Sequence, residues 1–257
     1  MKNNNHHTVL CRVSILTLMT PLYFLFAAPT AAGTGTFATG EGMSVSPNQA
    51  KGPTDAVEIE EFMDNLFAKD MAENHIAGAA VSIVKDGQLF FAKGYGYSDL
   101  EKNIPVDPEQ TLFKIGSVTK LFTWMAMMQL VEQGKLDLDA DVDTYLDFHI
   151  ADTYPQPITL KHLMTHTSGF EDLHADMVTL DEENLAPPRE WLVSHIPARV
   201  RPPGAVAAYS NYGAALAGYI VARVSGQTYS QYVQEHILDP LGMNSTTAKY
   251  PTPSELR

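Results

Sequence analysis

"TLFKIGSVTKLFTWMAMMQL", Thr111 to Leu130, sets Ser117 three residues ahead of Lys120 and then enters an apolar run with few helix breakers. On a helix, residues i and i+3 share a face, so Lys120 would sit one turn behind the Ser117 hydroxyl. Such a hydroxyl becomes a nucleophile only when a base takes its proton and donors stabilise the oxyanion that develops. A helix start supplies some of that, through its dipole and its uncommitted backbone N–H groups. A lysine with an ordinary pKa of about 10.4 is no base, so burial or nearby positive charge would have to lower it. Two readings therefore stand: an activated serine, or a core helix whose first turn is polar. In either case the run predicts a helix over 117–133 stopped by Gly134 in the left-handed region. Leu121, Trp124, Met125 and Met128 are expected to anchor it in the core.

Context separates this pair from a second one. Ser82-Ile83-Val84-Lys85 has the same spacing but lies in "AGAAVSIV", a β-prone run, where residues three apart point to opposite faces. Ser82 is read as structural. Further on, Tyr209-Ser210-Asn211 sits where a Pro/Gly loop enters an apolar helical pattern. A phenol can relay a proton if nearby cations depress its pKa, and an amide two residues on can bridge to a lysine. The same "YSNYG" also reads as a plain helix cap, with Ser210 or Asn211 receiving the first N–H groups.

The rest of the chain limits the choices. It has 257 residues, 45% hydrophobic and 18% charged, with a formal charge of −13. An acidic exterior argues against nucleic acid and anionic membrane surfaces as partners. Residues 1–32 read as an export signal: Lys2 and Arg12 precede the apolar "VSILTLMTPLYFLFAA", and "APTAAG" offers small residues for cleavage after Ala32. A retained anchor is the competing reading. Cys11 leaves with a cleaved signal, so the mature chain could form no disulfide. Residues 33–54 read as a flexible linker. A helix behind Thr54 or Asp55 follows, with Val57, Ile59, Phe62, Leu66 and Met71 near helical spacing. "AGAAVSIV" and "QLFFAKGYGY" are joined by Lys85-Asp86-Gly87-Gln88, which predicts a hairpin with a type I′ turn. "LDLDADVDTYL" lacks the spacing and glycine of a calcium loop and reads as a turn region. His162 and His166 are i,i+4 in "KHLMTHTSG"; with no intervening metalloprotease-type acid they read as structural rather than as a zinc pair. "ITLKHLMTHTSGF" predicts a short helix closed by Gly169, "YSNYGAALAGYIVARVSG" a helix ending at Gly226, and "TYSQYVQEHILDPLGM" one more helix stopped by Pro240.

Taken in order, "LFKIGSVTKLFT", "LVEQGKLDLDADVDTYL", "ITLKHLMTHTSGF" and "PPGAVAAYSNYGAALAGYIVARVSGQTYSQYVQEHILDPLGM" resemble the serine β-lactamase and penicillin-binding protein superfamily, in its class C-like branch. The resemblance runs from about Phe62 to Thr247. It implies an α+β, β-lactamase/transpeptidase-like fold: an antiparallel sheet flanked by helices, plus a mostly helical subdomain, occupying 55–257. It implies a serine acyl hydrolase acting on β-lactams, D-amino-acid peptides or esters through an acyl-serine intermediate, with no metal or organic cofactor. Ser117 would be the acylated nucleophile and Lys120 would assist its deprotonation. Tyr209 would act as general base or proton relay, and Asn211 would hold Lys120 and the substrate amide. The Ser117 N–H would be one oxyanion donor. His166, in "THTSG", is a minor candidate and is read mainly as scaffold.

The chain departs from that family in one respect. A Lys-Thr-Gly or His-x-Gly motif, on a strand that also supplies the second oxyanion donor, is expected well downstream of Tyr-x-Asn. Lys85-Asp86-Gly87 and Lys114-Ile115-Gly116 both precede Ser117 and cannot replace it. The expectation is a domain whose C-terminal strands are missing, whose strand 88–97 leaves an open edge and apolar face, and whose stability and turnover are limited. The competing function is a non-catalytic module that binds peptidoglycan-like peptides. The product is expected to be periplasmic or secreted, with no stable membrane span after signal cleavage.

Overall fold

The turn that joins the first two strands fixes their register. Asp86 and Gly87 have φ of 53° and 75°, the two positive values that a type I′ turn requires. In the computed structural model, which describes residues 52–172 and 185–256, β1 (Gly78–Lys85) and β2 (Gln88–Asp99) pair antiparallel across it. Ser82 is exposed and Lys85 half-buried, as alternation along a strand requires. The expected export signal lies outside the described residues, as does all of the expected linker before Gly52.

The chain divides into two compact units, one ending at Thr111 and the other beginning at Leu112. In the first, α1 (Ala56–Asn74) starts at Asp55, whose carboxylate accepts the Val57 N–H at 2.8 Å. The helix lies on β2. Phe67 stacks on Tyr95 with ring centroids 4.3 Å apart, and Lys93 bridges Glu60 and Asp64. A third strand, β3 (Ile104–Pro105), pairs antiparallel with the end of β2, so the sheet order is β1-β2-β3. β2 is thus the middle strand, which closes part of the edge expected along 88–97. The two-residue β3 covers only its Tyr97–Asp99 end, however. No alternating pattern long enough to announce β3 exists in so short a strand.

The second unit is helical around a single core. Its elements are α2 (Thr119–Glu132), α3 (Leu160–Met164), α4 (Pro188–Ser194), α5 (Asn211–Ser225) and α6 (Tyr229–Val233), which runs on into a π turn at Gln234–Leu238. α5 is the hub, burying Tyr212, Leu216, Ala217, Ile220 and Val221 against its neighbours. Gly226, with φ 74°, caps it as expected, and Gly134, with φ 68°, follows the end of α2. The acidic loop caps itself: Asp137 and Asp141 accept the N–H groups of Asp139 and Asp143. Among the described residues no helix is long and apolar enough to cross a membrane.

Three expectations need correction. α2 buries Thr123, Ala126, Met127 and Leu130, whereas Leu121 is 57% exposed, Met125 and Met128 are more than a third exposed, and Trp124 is half-buried. A helix apolar on every side carries no periodic signal to choose its buried face. Second, α3 ends at Met164, five residues before Gly169. The glycine belongs instead to a backbone ribbon in which segment 166–171 runs antiparallel to 198–208. Its bonds are Glu171 N–H to Ala198 O, Val200 N–H to Gly169 O, Gly204 N–H to Thr167 O and Ala208 N–H to His166 O. Third, the expected last helix divides into α6 and the π turn.

Candidate active site

Ser117 does not sit in the α-helix proper. It occupies a 3₁₀ turn, Gly116–Val118, that feeds α2. With three residues per turn, a 3₁₀ segment eclipses i and i+3 more closely than an α-helix does. Lys120 accordingly reaches back, and its Nζ donates to Ser117 Oγ at 3.2 Å. The same ammonium donates to Asn211 Oδ1 at 2.7 Å and lies 4.6 Å from the Tyr209 ring centroid. The Tyr209 hydroxyl donates to Ser117 Oγ at 2.6 Å. All four candidate residues thus form one connected cluster, drawn from two segments about ninety positions apart in the chain.

The two readings of "YSNYG" prove compatible. Ser210 is 1% exposed and is the N-cap of α5, its Oγ accepting the Gly213 N–H at 3.0 Å. Because Ser210 does the capping, the Asn211 amide is left to face Lys120. Tyr209, one residue before the cap, is 46% exposed and points its hydroxyl at Ser117.

The electrostatics favour ionisation of the phenol. Partial burial works to raise the Tyr209 pKa, and the charge of Asp172 adds to that. Hydrogen bonding with Lys120 and Ser117, with the Lys120 charge, outweighs both and holds the phenol below its ordinary value of 10.0. A phenol so lowered forms phenolate more readily, and a phenolate 2.6 Å from Ser117 Oγ is placed to take the serine proton.

His166 belongs to this cluster more closely than its sequence suggested. Its carbonyl accepts the Ala208 N–H at 2.7 Å and its Nδ1 accepts the Ser210 N–H at 3.2 Å. Its ring lies 4.5 Å from the Tyr209 ring and meets Trp124 edge-on at 6.2 Å. His162, a turn earlier, has a similar role: its Nδ1 accepts the Thr159 N–H at 3.1 Å, and its own N–H returns a bond to Thr159 Oγ1. In both rings the Nδ1 lone pair holds a backbone N–H, the structural use expected of this pair. The positive φ of His166, 55°, was the one signal of its special place, and it is invisible in sequence.

The "THTSG" glycine is fixed by the same ribbon. Gly169 has φ 80°, and a Cβ there would overlap the Arg201 carbonyl. Only glycine satisfies both conditions.

A family model described as Beta-lactamase matches residues 63–257. Among curated proteins, Protein flp of Staphylococcus aureus (strain MW2) is 35% identical over 192 residues, covering 73% of this chain and 38% of that protein. Among solved structures, the octameric penicillin-binding protein homologue from Pyrococcus abyssi aligns with a TM-score of 0.64 at 36% identity, over 74% of this chain and 44% of the other. A Beta-Lactamase/D-Alanine Carboxypeptidase from Pseudomonas syringae aligns with a TM-score of 0.63 at 27% identity, over 76% and 52%. The chain therefore spans about two-fifths to one half of the length of these relatives. A cluster of Ser117, Lys120, Tyr209 and Asn211 on this scaffold, and a match over three-quarters of the chain, lead to one assignment: the chain belongs to the Beta-lactamase family, within the superfamily of serine β-lactamases and penicillin-binding proteins.

Proposed function

We propose that this chain carries the nucleophile half of a serine acyl hydrolase, with Ser117 the residue acylated. The observation that carries this reading is the 2.6 Å bond between Tyr209 and Ser117, flanked by the Lys120 ammonium. Tyr209, as phenolate, takes the Ser117 proton while Oγ attacks the acyl carbon. The Oγ–C bond forms, the carbonyl electrons move to oxygen, and the Ser117 N–H is one oxyanion donor. When the oxyanion collapses, Tyr209 returns the proton to the departing nitrogen or oxygen. Water then cleaves the acyl-serine by the same route in reverse. Lys120 assists the deprotonation by its contacts with Ser117 Oγ and the Tyr209 ring, and Asn211 orients Lys120 and the substrate amide. No metal or organic cofactor enters these steps.

The substrate class is a β-lactam, a D-amino-acid peptide or an ester. The Pseudomonas syringae relative, whose name joins β-lactamase with D-alanine carboxypeptidase, supports that breadth. Residues 1–32 act as an export signal and 33–54 as a linker to a hydrolase domain at 55–257, which places the protein in the periplasm or outside the cell. The alternative reading is a binding module for peptidoglycan-like peptides that forms no covalent bond.

Incubating the chain with a fluorescent penicillin and weighing the intact protein separates the two. We expect a covalent adduct that disappears in Ser117→Ala. Reversible binding without an adduct, or an adduct that persists in Ser117→Ala, overturns the enzymatic reading.

A further inference from the structure

His166 holds both neighbours of Tyr209. Its carbonyl takes the Ala208 N–H and its Nδ1 takes the Ser210 N–H, so the residues before and after the tyrosine are tied to one side chain and its backbone. The ring itself lies against the Tyr209 ring, and Trp124 of α2 backs it from another direction. We propose that His166 is the positioning residue for Tyr209: its Nδ1 acceptor and its ring set the phenol on Ser117 Oγ, and a proton on Nδ1 disconnects the two. The proposal rests on the acyl-hydrolase reading only for its consequence in catalysis. The tie between His166 and Tyr209 is a matter of geometry.

The chemistry of the switch is specific. A ring nitrogen that accepts a backbone N–H must be unprotonated, so the imidazole carries its hydrogen on Nε2. Protonating Nδ1 turns an acceptor into a donor facing another donor. The Ser210 N–H then has no acceptor there, and Tyr209 acquires a cation 4.5 Å from its ring. Among the described residues, the following charged and titratable groups bear on the ring or on its partner phenol. Lys120 of α2 and the phenol of Tyr209 face it, the charge of Asp172 acts on the Tyr209 phenol, and His162 and Lys161 lie earlier on its own segment. Burial, with the charge of Lys120, disfavours the imidazolium, which keeps the acceptor form in place at neutral pH.

Two variants divide the roles. His166→Asn places an amide oxygen where Nδ1 stands, accommodates φ of 55° and cannot be protonated. His166→Phe keeps a ring but offers no acceptor. With the full chain and a fluorescent penicillin, we expect the rate of adduct formation on Ser117 to fall as pH drops, by protonation of the Tyr209 phenolate and, below about pH 6.5, by protonation of His166 as well. His166→Asn removes the His166 step and leaves the Tyr209 phenolate step, so its acid limb is shallower by one proton, and His166→Phe is slower by roughly tenfold or more at every pH with an unchanged circular dichroism spectrum. An acid limb as steep in His166→Asn as in the wild type, or wild-type rates in folded His166→Phe, overturns the proposal.

A second measurement does not need acylation at all. Histidine ¹⁵N spectra of the wild type at neutral pH should show His166 with an unprotonated Nδ1 and a protonated Nε2. The ¹³Cζ resonance of Tyr209 should shift as His166 titrates. A protonated Nδ1, or a Tyr209 resonance blind to that titration, overturns the positioning role. Absence of any Ser117 adduct alongside the expected spectra instead overturns the acyl-hydrolase reading and leaves the tie between His166 and Tyr209 standing.

Discussion

At the scale of single residues, the site turns on which of two opposed effects controls Tyr209. Burial alone would push the phenol above 10.0; Lys120 and Ser117 together pull it below. Removing Lys120 should therefore reverse the sign of the shift, not merely shrink it. In Lys120→Met, which preserves length and packing, we expect the Tyr209 phenol to ionise above its ordinary value, where the wild type ionises below it. A ¹³Cζ-tyrosine titration reads both, and an unchanged Tyr209 pKa in Lys120→Met refutes the assignment of the cause. The residue types of this cluster were legible before the fold was known, because hydroxyl, ammonium, phenol and amide each announce a possible role and because Ser117 and Lys120 share a helix face. What the sequence could not convey is that Ser210 performs the capping and so frees Asn211. Nor could it convey that His166 grips both flanks of Tyr209, since a ring nitrogen accepting a backbone N–H has no spacing rule to betray it.

Elements were legible in proportion to how local their physics is. The type I′ turn at Asp86-Gly87, the Asp55 cap of α1 and the Gly226 end of α5 each depend on a few adjacent residues, and each was readable. The ribbon between 166–171 and 198–208 depends on backbone bonds between loops thirty residues apart, with no alternation to mark it, and was not. Its glycine gives a sharp test. Gly169→Ala combines a left-handed backbone with overlap on the Arg201 carbonyl, and should cost about 2 kcal/mol or more of unfolding free energy. Urea denaturation at constant m-value measures it, and a loss within about 0.5 kcal/mol, the range of an ordinary surface change, contradicts the argument. The two histidines of this stretch add a pH dependence with a definite sign. Burial, the larger cause for both, lowers the folded pKa of His162 and His166 below 6.5. Their contribution is thus present above about pH 6.5 and lost as pH falls through the lower folded values. The carboxylates with lowered pKa, Asp64, Asp99 and Asp147, act only below 3.8, so the windows do not overlap. We expect the urea midpoint to drop between about pH 7 and pH 5, and His162→Gln with His166→Asn to flatten that drop, since both replacements accept a backbone N–H without titrating.

Over the whole molecule, burial is distributed very unevenly between the two units, and stability should follow it. Among the described residues of the first unit, Val106 is the one buried apolar side chain, and α1 buries none of its nineteen residues. Val57 and Phe62, on the predicted apolar face of that helix, are 70% and 59% exposed. In the second unit Leu216, Ala217, Ile220 and Val221 of α5 are completely enclosed, as are Ala126, Met127 and Leu130 of α2. Local opening requires exposing what an element buries, so amides of α5 and α2 should exchange with solvent only through global unfolding. Those of α1 should exchange through local fraying, far faster. Side-chain truncation must show the same asymmetry. Leu216→Ala removes a fully enclosed side chain and should cost about 2–5 kcal/mol, whereas Phe62→Ala should stay near about 0.5 kcal/mol. Both tryptophans, Trp124 and Trp191, belong to the second unit, so fluorescence-detected urea unfolding reports Leu216→Ala directly. Phe62→Ala is followed by exchange of the α1 amides. If α1 proves as protected as α5, then its exposed apolar face is covered in solution, and the uneven burial is not what governs the stability of this chain.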